Sequence, residues 1–97
     1  SRLYQEVLEK YGIKVIIPSA KNRLVIESVI RNILAGEIND LDRQKITFIA
    51  ESLRIQGAQG IILGCTELPL IFPKEFSVPV FDSIEILSRA LLKRVYE

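Results

Sequence analysis

The apolar run that leads from Gly60 to Leu63 and stops at Gly64 is the feature that most limits how this chain can fold. A short, continuous apolar run is typical of a strand that is buried on both faces, as in parallel sheets covered by helices. In open α/β sheets, ligands bind outside the carboxyl ends of the strands. Cys65, the chain's one cysteine, comes directly after such an end. The run therefore predicts an α/β sheet with a thiol at the edge where ligands bind.

Three helices are predicted before this strand, because apolar residues recur at helical spacing and each pattern stops at a glycine. The three helices are expected to end at Gly12, Gly36 and Gly57. Asn39 or Asp40 is expected to cap the third helix, since both side chains can accept a hydrogen bond from a first-turn N–H group. Four charged side chains of the third helix are expected to face water: Asp42, Arg43, Lys45 and Glu51.

Two further strands and a final helix complete the predicted order. The β-branched run from Ile13 to Ile17 predicts a strand, and Ser19 or Asn22 is expected to cap the second helix. Residues 78–81 predict a short strand. A last helix is expected from Ser83 to Tyr96, with Asp82 or Ser83 as its cap.

The alternation of helices and strands predicts one small α/β domain over residues 1–97, with three layers and a parallel sheet. Strands separated by helices pair in parallel through a right-handed crossover. A layer of this kind that opens on a helix lacks its natural first strand, so a strand that precedes Ser1 is expected. The sheet edge left without that strand would present unpaired backbone groups, which predicts association between copies of the chain.

Composition excludes several functional classes. Thirteen basic and twelve acidic side chains give a net charge of +1, without the basic cluster that nucleic-acid binding requires. No apolar stretch reaches the roughly 20 residues needed to cross a bilayer, and no signal peptide opens the chain, so a cytoplasmic protein is expected. The chain has no histidine, which removes Ser-His and Cys-His pairs and most zinc sites. The partner is expected to be a small molecule or a small partner with an uncharged surface.

The residues that follow the strand suggest chemistry at Cys65. Gly64 permits a tight turn, and residues 66–69 are expected to open a short helix with Pro69 in its first turn. Backbone N–H groups at such a position favour the reactive thiolate and can also hold a carboxylate. Other interpretations stay open: Cys65 as a small buried apolar residue, Thr66 as a helix cap, and Glu67 as an acid that suits the helix dipole.

The segment from Gly57 to Leu70, with Gly64-Cys65-Thr66-Glu67-Leu68 at its centre, resembles the second cysteine motif of the cofactor-independent aspartate/glutamate racemase superfamily. The similarity extends to the first four residues, the loop at Pro18, the turn at Gly36 and residues 79–82, so it covers essentially the whole chain. The resemblance implies a flavodoxin-like half of such an enzyme, equivalent to its second, C-terminal domain.

The resemblance also implies a mechanism and a site. Enzymes of this family place one acid/base residue, usually cysteine, on each face of the substrate α-carbon, and invert it without pyridoxal phosphate or metal. Cys65 would be one of these two residues, and an N-terminal domain would supply the other. Thr66 would contact the substrate carboxylate through its N–H and hydroxyl groups. Glu67 would orient the loop or the substrate ammonium group.

Departures from the family pattern leave the substrate and the reaction open. Leu34 and Ala35 stand where aspartate racemases tend to carry a lysine, which favours a broader or less acidic substrate range. Hydantoin racemases and maleate or arylmalonate enzymes share the same scaffold and are alternatives. A further alternative is a non-catalytic α/β binding domain in which Cys65 is sensitive to oxidation.

Overall fold

The structure, a computed structural model, describes residues 2–86 and residue 88. None of the helices in this part of the chain combines the length and the apolar character that crossing a membrane requires. Residues 83–86 are helical, so the last helix starts where the sequence predicts, while its continuation to residue 96 lies outside the described residues. The other elements, in chain order, are α1 (Arg2–Lys10), α2 (Ala20–Leu34), α3 (Asp40–Ile55), β1 (Ile61–Leu63), a 3-10 turn (Leu68–Leu70) and β2 (Val80–Asp82).

The ends of the helices form at the residues that the sequence predicts. Ser19 Oγ accepts a hydrogen bond from the N–H of Asn22 at 3.1 Å and caps α2. Asn39 Oδ1 accepts one from the N–H of Asp42 at 2.8 Å and caps α3. The glycines after the three helices adopt the left-handed conformation that terminates a helix, with φ of 75° at Gly12, 88° at Gly36 and 110° at Gly57.

The two strands form a parallel pair, which together with the helices confirms the α/β fold class. Ile61 pairs with Val80, and Leu63 pairs with Asp82. Ile61 and Leu63 are buried, but Ile62 between them is 37% exposed, so only one face of β1 is covered within the described residues. At the start of β1, a Cβ atom added to Gly60 would lie 3.2 Å from Cε2 of Phe81, so the ring packs directly on the glycine.

The predicted strand from Ile13 to Ile17 is wrong in this structure. These residues lie outside any helix or strand, and the side chains of Ile13 and Ile17 are 49% and 61% exposed. β-branched residues fit an extended chain, but a strand also needs a neighbour that takes up its backbone N–H and C=O groups. The sheet in the described part of the chain contains β1 and β2, and neither pairs with this segment.

The core lies between α2, α3, β1 and the segment that follows the 3-10 turn. Val29 on α2 and Ile71 after the turn are its most completely buried large side chains, at 1% and 0% exposure. The same cluster includes residues from every one of these elements: Ile33, Ile46, Ala50, Ile61, Leu63, Leu68 and Phe72. The segment that carries Cys65 is therefore anchored at its far end by the main core.

Asp42 is buried, at 3% exposure, and the prediction that it faces water is wrong. Its Oδ2 accepts hydrogen bonds from Nδ2 of Asn32 at 2.9 Å and from Nδ2 of Asn39 at 3.3 Å. Nζ of Lys45 lies 3.8 Å from Oδ1. A buried carboxylate is tolerated only when it is paired and hydrogen-bonded, and these partners meet that need while joining α2 to the start of α3.

Candidate functional site

Cys65 lies at the carboxyl edge of the parallel pair. β1 ends at Leu63, two residues before the thiol, and Leu63 is paired with Asp82, the last residue of β2. Parallel strands end at the same edge, so the Cys65 loop and the start of the last helix meet there. Oδ1 of Asp82 accepts the N–H of Ile84 at 2.8 Å, which makes Asp82 the predicted cap of that helix.

The Cys65 side chain is partly buried and packs against the core cluster. Its Sγ accepts a hydrogen bond from the backbone N–H of Leu68 at 3.4 Å. The sulfur thus accepts from the N–H group at the start of the 3-10 turn. The thiol is therefore both held in place and provided with a backbone donor.

Thr66 and Glu67 follow the thiol directly but bind each other. The hydroxyl of exposed Thr66 donates to the carboxylate of Glu67, which is partly buried. Glu67 precedes the turn and makes no side-chain capping bond. The expected short helix is a single 3-10 turn of three residues with Pro69 at its start. Both residues predicted to bind substrate thus lie between Cys65 and the first residue of the 3-10 turn.

The described part of the chain also has two concave surfaces. One is on α3 and is lined by residues that include Arg43 and Phe48, and the other is beside β2 and includes Asp82 and Glu85. Cys65 lines neither surface, so neither shows where a ligand would meet the thiol. Among the residues that the structure describes, no three Cys, Asp or Glu side chains gather as a metal site would require.

Arg43 contacts the loop that carries Cys65, although the sequence predicted that it faces water. Its Nε donates to the carbonyl oxygen of Ile71 at 3.0 Å, and its Nη1 bonds Oδ1 of Asp40 at 2.9 Å. Residues 43 and 71 are far apart in sequence, so no local pattern signals this contact.

Two comparisons with known proteins identify the family of the chain. The sequence model of the family described as Asp/Glu/Hydantoin racemase matches residues 1–91. A crystal structure described as that of a "putative Asp/Glu Racemase from Yersinia pestis" superposes with a TM-score of 0.78 and 34% sequence identity. The match covers 94% of this chain and 40% of the Yersinia chain, so the chain spans less than half of that protein's length. The resemblance inferred from the Cys65 motif is confirmed, and the chain belongs to the Asp/Glu/hydantoin racemase family.

Proposed function

We propose that this chain is the C-terminal catalytic half of a cofactor-independent amino-acid racemase, with Cys65 as one of its two acid/base residues. Membership of a racemase family supports an isomerase. The observation that carries the assignment to Cys65 is the hydrogen bond from the N–H of Leu68 to its Sγ, at the carboxyl edge of the sheet. This edge is where α/β folds bind ligands.

The proposed reaction moves one proton at each face of the substrate α-carbon. The thiolate of Cys65 removes the α-proton, so the C–H bond breaks, an S–H bond forms and the electron pair stays on the substrate as a carbanion. A protonated acid/base group on the opposite face then gives its proton to that carbon, which inverts the configuration. The reverse direction exchanges the two roles. Each side chain acts as general base in one direction and as general acid in the other.

The two residues after Cys65 are proposed to bind the substrate. Thr66 would contact the substrate carboxylate through its N–H and hydroxyl groups, and Glu67 would orient the loop or the ammonium group. In the structure the Thr66 hydroxyl donates to Glu67, so the hydroxyl would exchange this partner for the substrate. Glu67 would then be released to accept from the ammonium group.

The second acid/base residue is proposed to come from an N-terminal half outside residues 1–97. The Yersinia match supports this division, because more than half of that chain lies beyond the aligned part. Inversion needs groups on two opposite faces of one carbon, and Cys65 is the chain's one cysteine. Association between copies of the protein is proposed as well, because within the described residues β1 is paired on one side only.

Replacement of Cys65 in the intact enzyme tests the assignment. We expect Cys65→Ser to lower racemisation by about 100-fold to 10,000-fold, the range in which general acid/base groups contribute. Chiral chromatography of the product and exchange of the α-proton in deuterium oxide measure the two halves of the reaction. Ser77→Ala is the matched control, since it also changes one side-chain atom, in an exposed loop residue. Unchanged racemisation and exchange in Cys65→Ser would refute the assignment.

A hydantoin or neutral amino-acid substrate is the second candidate function. Leu34 and Ala35 stand at the end of α2 where aspartate racemases tend to carry a lysine, and Leu34 is 69% exposed. Without that cation, a substrate side-chain carboxylate loses a partner. Racemisation rates for aspartate, glutamate, neutral amino acids and 5-substituted hydantoins would separate the candidates, and a clear preference for aspartate would exclude this second one.

A further inference from the structure

We infer that Arg43 is a positioning residue for Cys65, because it binds the end of the 3-10 turn whose first N–H group donates to the sulfur. The inference rests on the proposed function, because it concerns the same thiol. Arg43 belongs to α3 and Cys65 to the loop after β1. The link therefore joins two elements that the chain does not connect locally.

The first step of the link is the bond from Nε of Arg43 to the carbonyl oxygen of Ile71, at 3.0 Å. Ile71 is 0% exposed, so its carbonyl oxygen cannot reach water and needs a donor within the protein. Arg43 supplies that donor with a charged group, which makes the hydrogen bond stronger than one between neutral groups. Asp40 orients the guanidinium from the other side through Nη1, at 2.9 Å.

The backbone of the turn joins this anchored end to the residue that bonds the sulfur. The N–H of Ile71 donates to the carbonyl oxygen of Leu68 at 3.1 Å, and the N–H of Phe72 donates to the same oxygen at 2.9 Å. The N–H of Leu68 donates to Sγ of Cys65 at 3.4 Å. Leu68, Ile71 and Phe72 are all buried, so the turn is held in place by packing as well as by these bonds.

The arrangement has one consequence for the thiol. The Arg43 side chain holds the far end of the turn and so keeps the Leu68 N–H aimed at the sulfur. The hydrogen bonds of Arg43 go to Ile71 and Asp40 and not to the sulfur, so Arg43 acts through the turn.

Arg54 provides a matched control on the same helix. Its Nε bonds Oε2 of Glu51 at 2.8 Å, three residues earlier in α3, as Arg43 bonds Asp40. The side chains of both arginines are 40% exposed. Replacement of either residue by methionine removes one cation and one exposed ion pair, but only Arg43→Met removes a bond to the Ile71 carbonyl.

The test compares Arg43→Met, Arg43→Lys and Arg54→Met in the intact enzyme. We expect Arg43→Met to lower kcat about tenfold, the effect of one lost charge-assisted hydrogen bond, while KM stays within about twofold because no substrate contact is removed. Alkylation of Cys65 by iodoacetamide should slow by a similar factor, because the Leu68 N–H would no longer be held toward the sulfur. Arg43→Lys keeps the charge and one donor and should recover part of both rates. Arg54→Met should match the unmodified enzyme.

Whether alkylation becomes slower or faster in Arg43→Met distinguishes a loss of positioning from a general loosening of the fold. A loosened loop would expose the sulfur and speed alkylation, so faster alkylation in Arg43→Met would overturn the inference. Equal kcat values in Arg43→Met and Arg54→Met would overturn it too. The two proposals can be refuted independently. Racemisation that survives Cys65→Ser would refute the catalytic role of the thiol. The alkylation rates measure the link from Arg43 to the sulfur whether or not that role holds.

Discussion

The helix pair α2–α3 and the segment from Ile13 to Ile17 contain similar apolar residues but differ in what completes their structure. The helices satisfy their backbone groups internally, begin at Ser19 and Asn39 caps, and join through the bond from Asn32 to Asp42. The segment has the composition of a strand, yet pairs with neither β1 nor β2. Local signals are sufficient for a helix, whereas a strand depends on a neighbour that local sequence does not specify.

The largest expected effect tests the packing of the helix pair. Ile46 on α3 is 4% exposed and belongs to the core cluster. We expect Ile46→Ala to lower the free energy of unfolding by about 2–5 kcal/mol, because the substitution removes buried methyl groups and leaves a cavity. Denaturant unfolding followed by circular dichroism measures this loss of stability. Phe48→Ala, at a side chain that is 71% exposed two residues further on, is the control and should change stability far less.

A smaller effect is expected at the polar junction of the same helices. Asp42→Ala removes the acceptor of the Asn32 and Asn39 amide groups. We expect a loss of about 1–3 kcal/mol, since partly buried donors are left without a partner. The same unfolding measurement applies, with Asp40→Ala as the control because the Asp40 side chain is 87% exposed. Equal losses in the two variants would show that the junction does not stabilise the pair.

The smallest effect is expected in the unpaired segment. Ile17→Ser changes a side chain that is 61% exposed and lies outside any strand. We expect the free energy of unfolding to change by no more than about 0.5 kcal/mol, as for most surface substitutions. A loss of unfolding free energy close to that of Ile46→Ala, measured in the intact protein, would remove the contrast between this segment and the helix pair. It would mean that the segment is buried in a sheet after all.

Helix ends and the place of the thiol could be predicted from sequence because their signals are local. Gly36 and Gly57 adopt the left-handed conformation expected of them, and Gly64 follows β1 so that Cys65 lies at the edge of the sheet. The bond from Arg43 to Ile71 could not be predicted, because it joins residues that only the folded chain brings together. The burial of Asp42 was missed for the same reason, since one of its partners, Asn32, lies on another helix.

The close contact between Gly60 and the ring of Phe81 helps to fix how β1 and β2 align, and so affects how far the segment between them can vary in length. With three residues in each strand, few backbone bonds resist sliding, and a shift by one residue would reverse the direction of every β2 side chain. It would also move Asp82 along the strand by about 3.3 Å. A side chain at residue 60 or a different neighbour at 81 would not allow the same close fit. An insertion between Lys74 and Glu75, which are both exposed, should therefore leave the spacing between the thiol and the last helix unchanged.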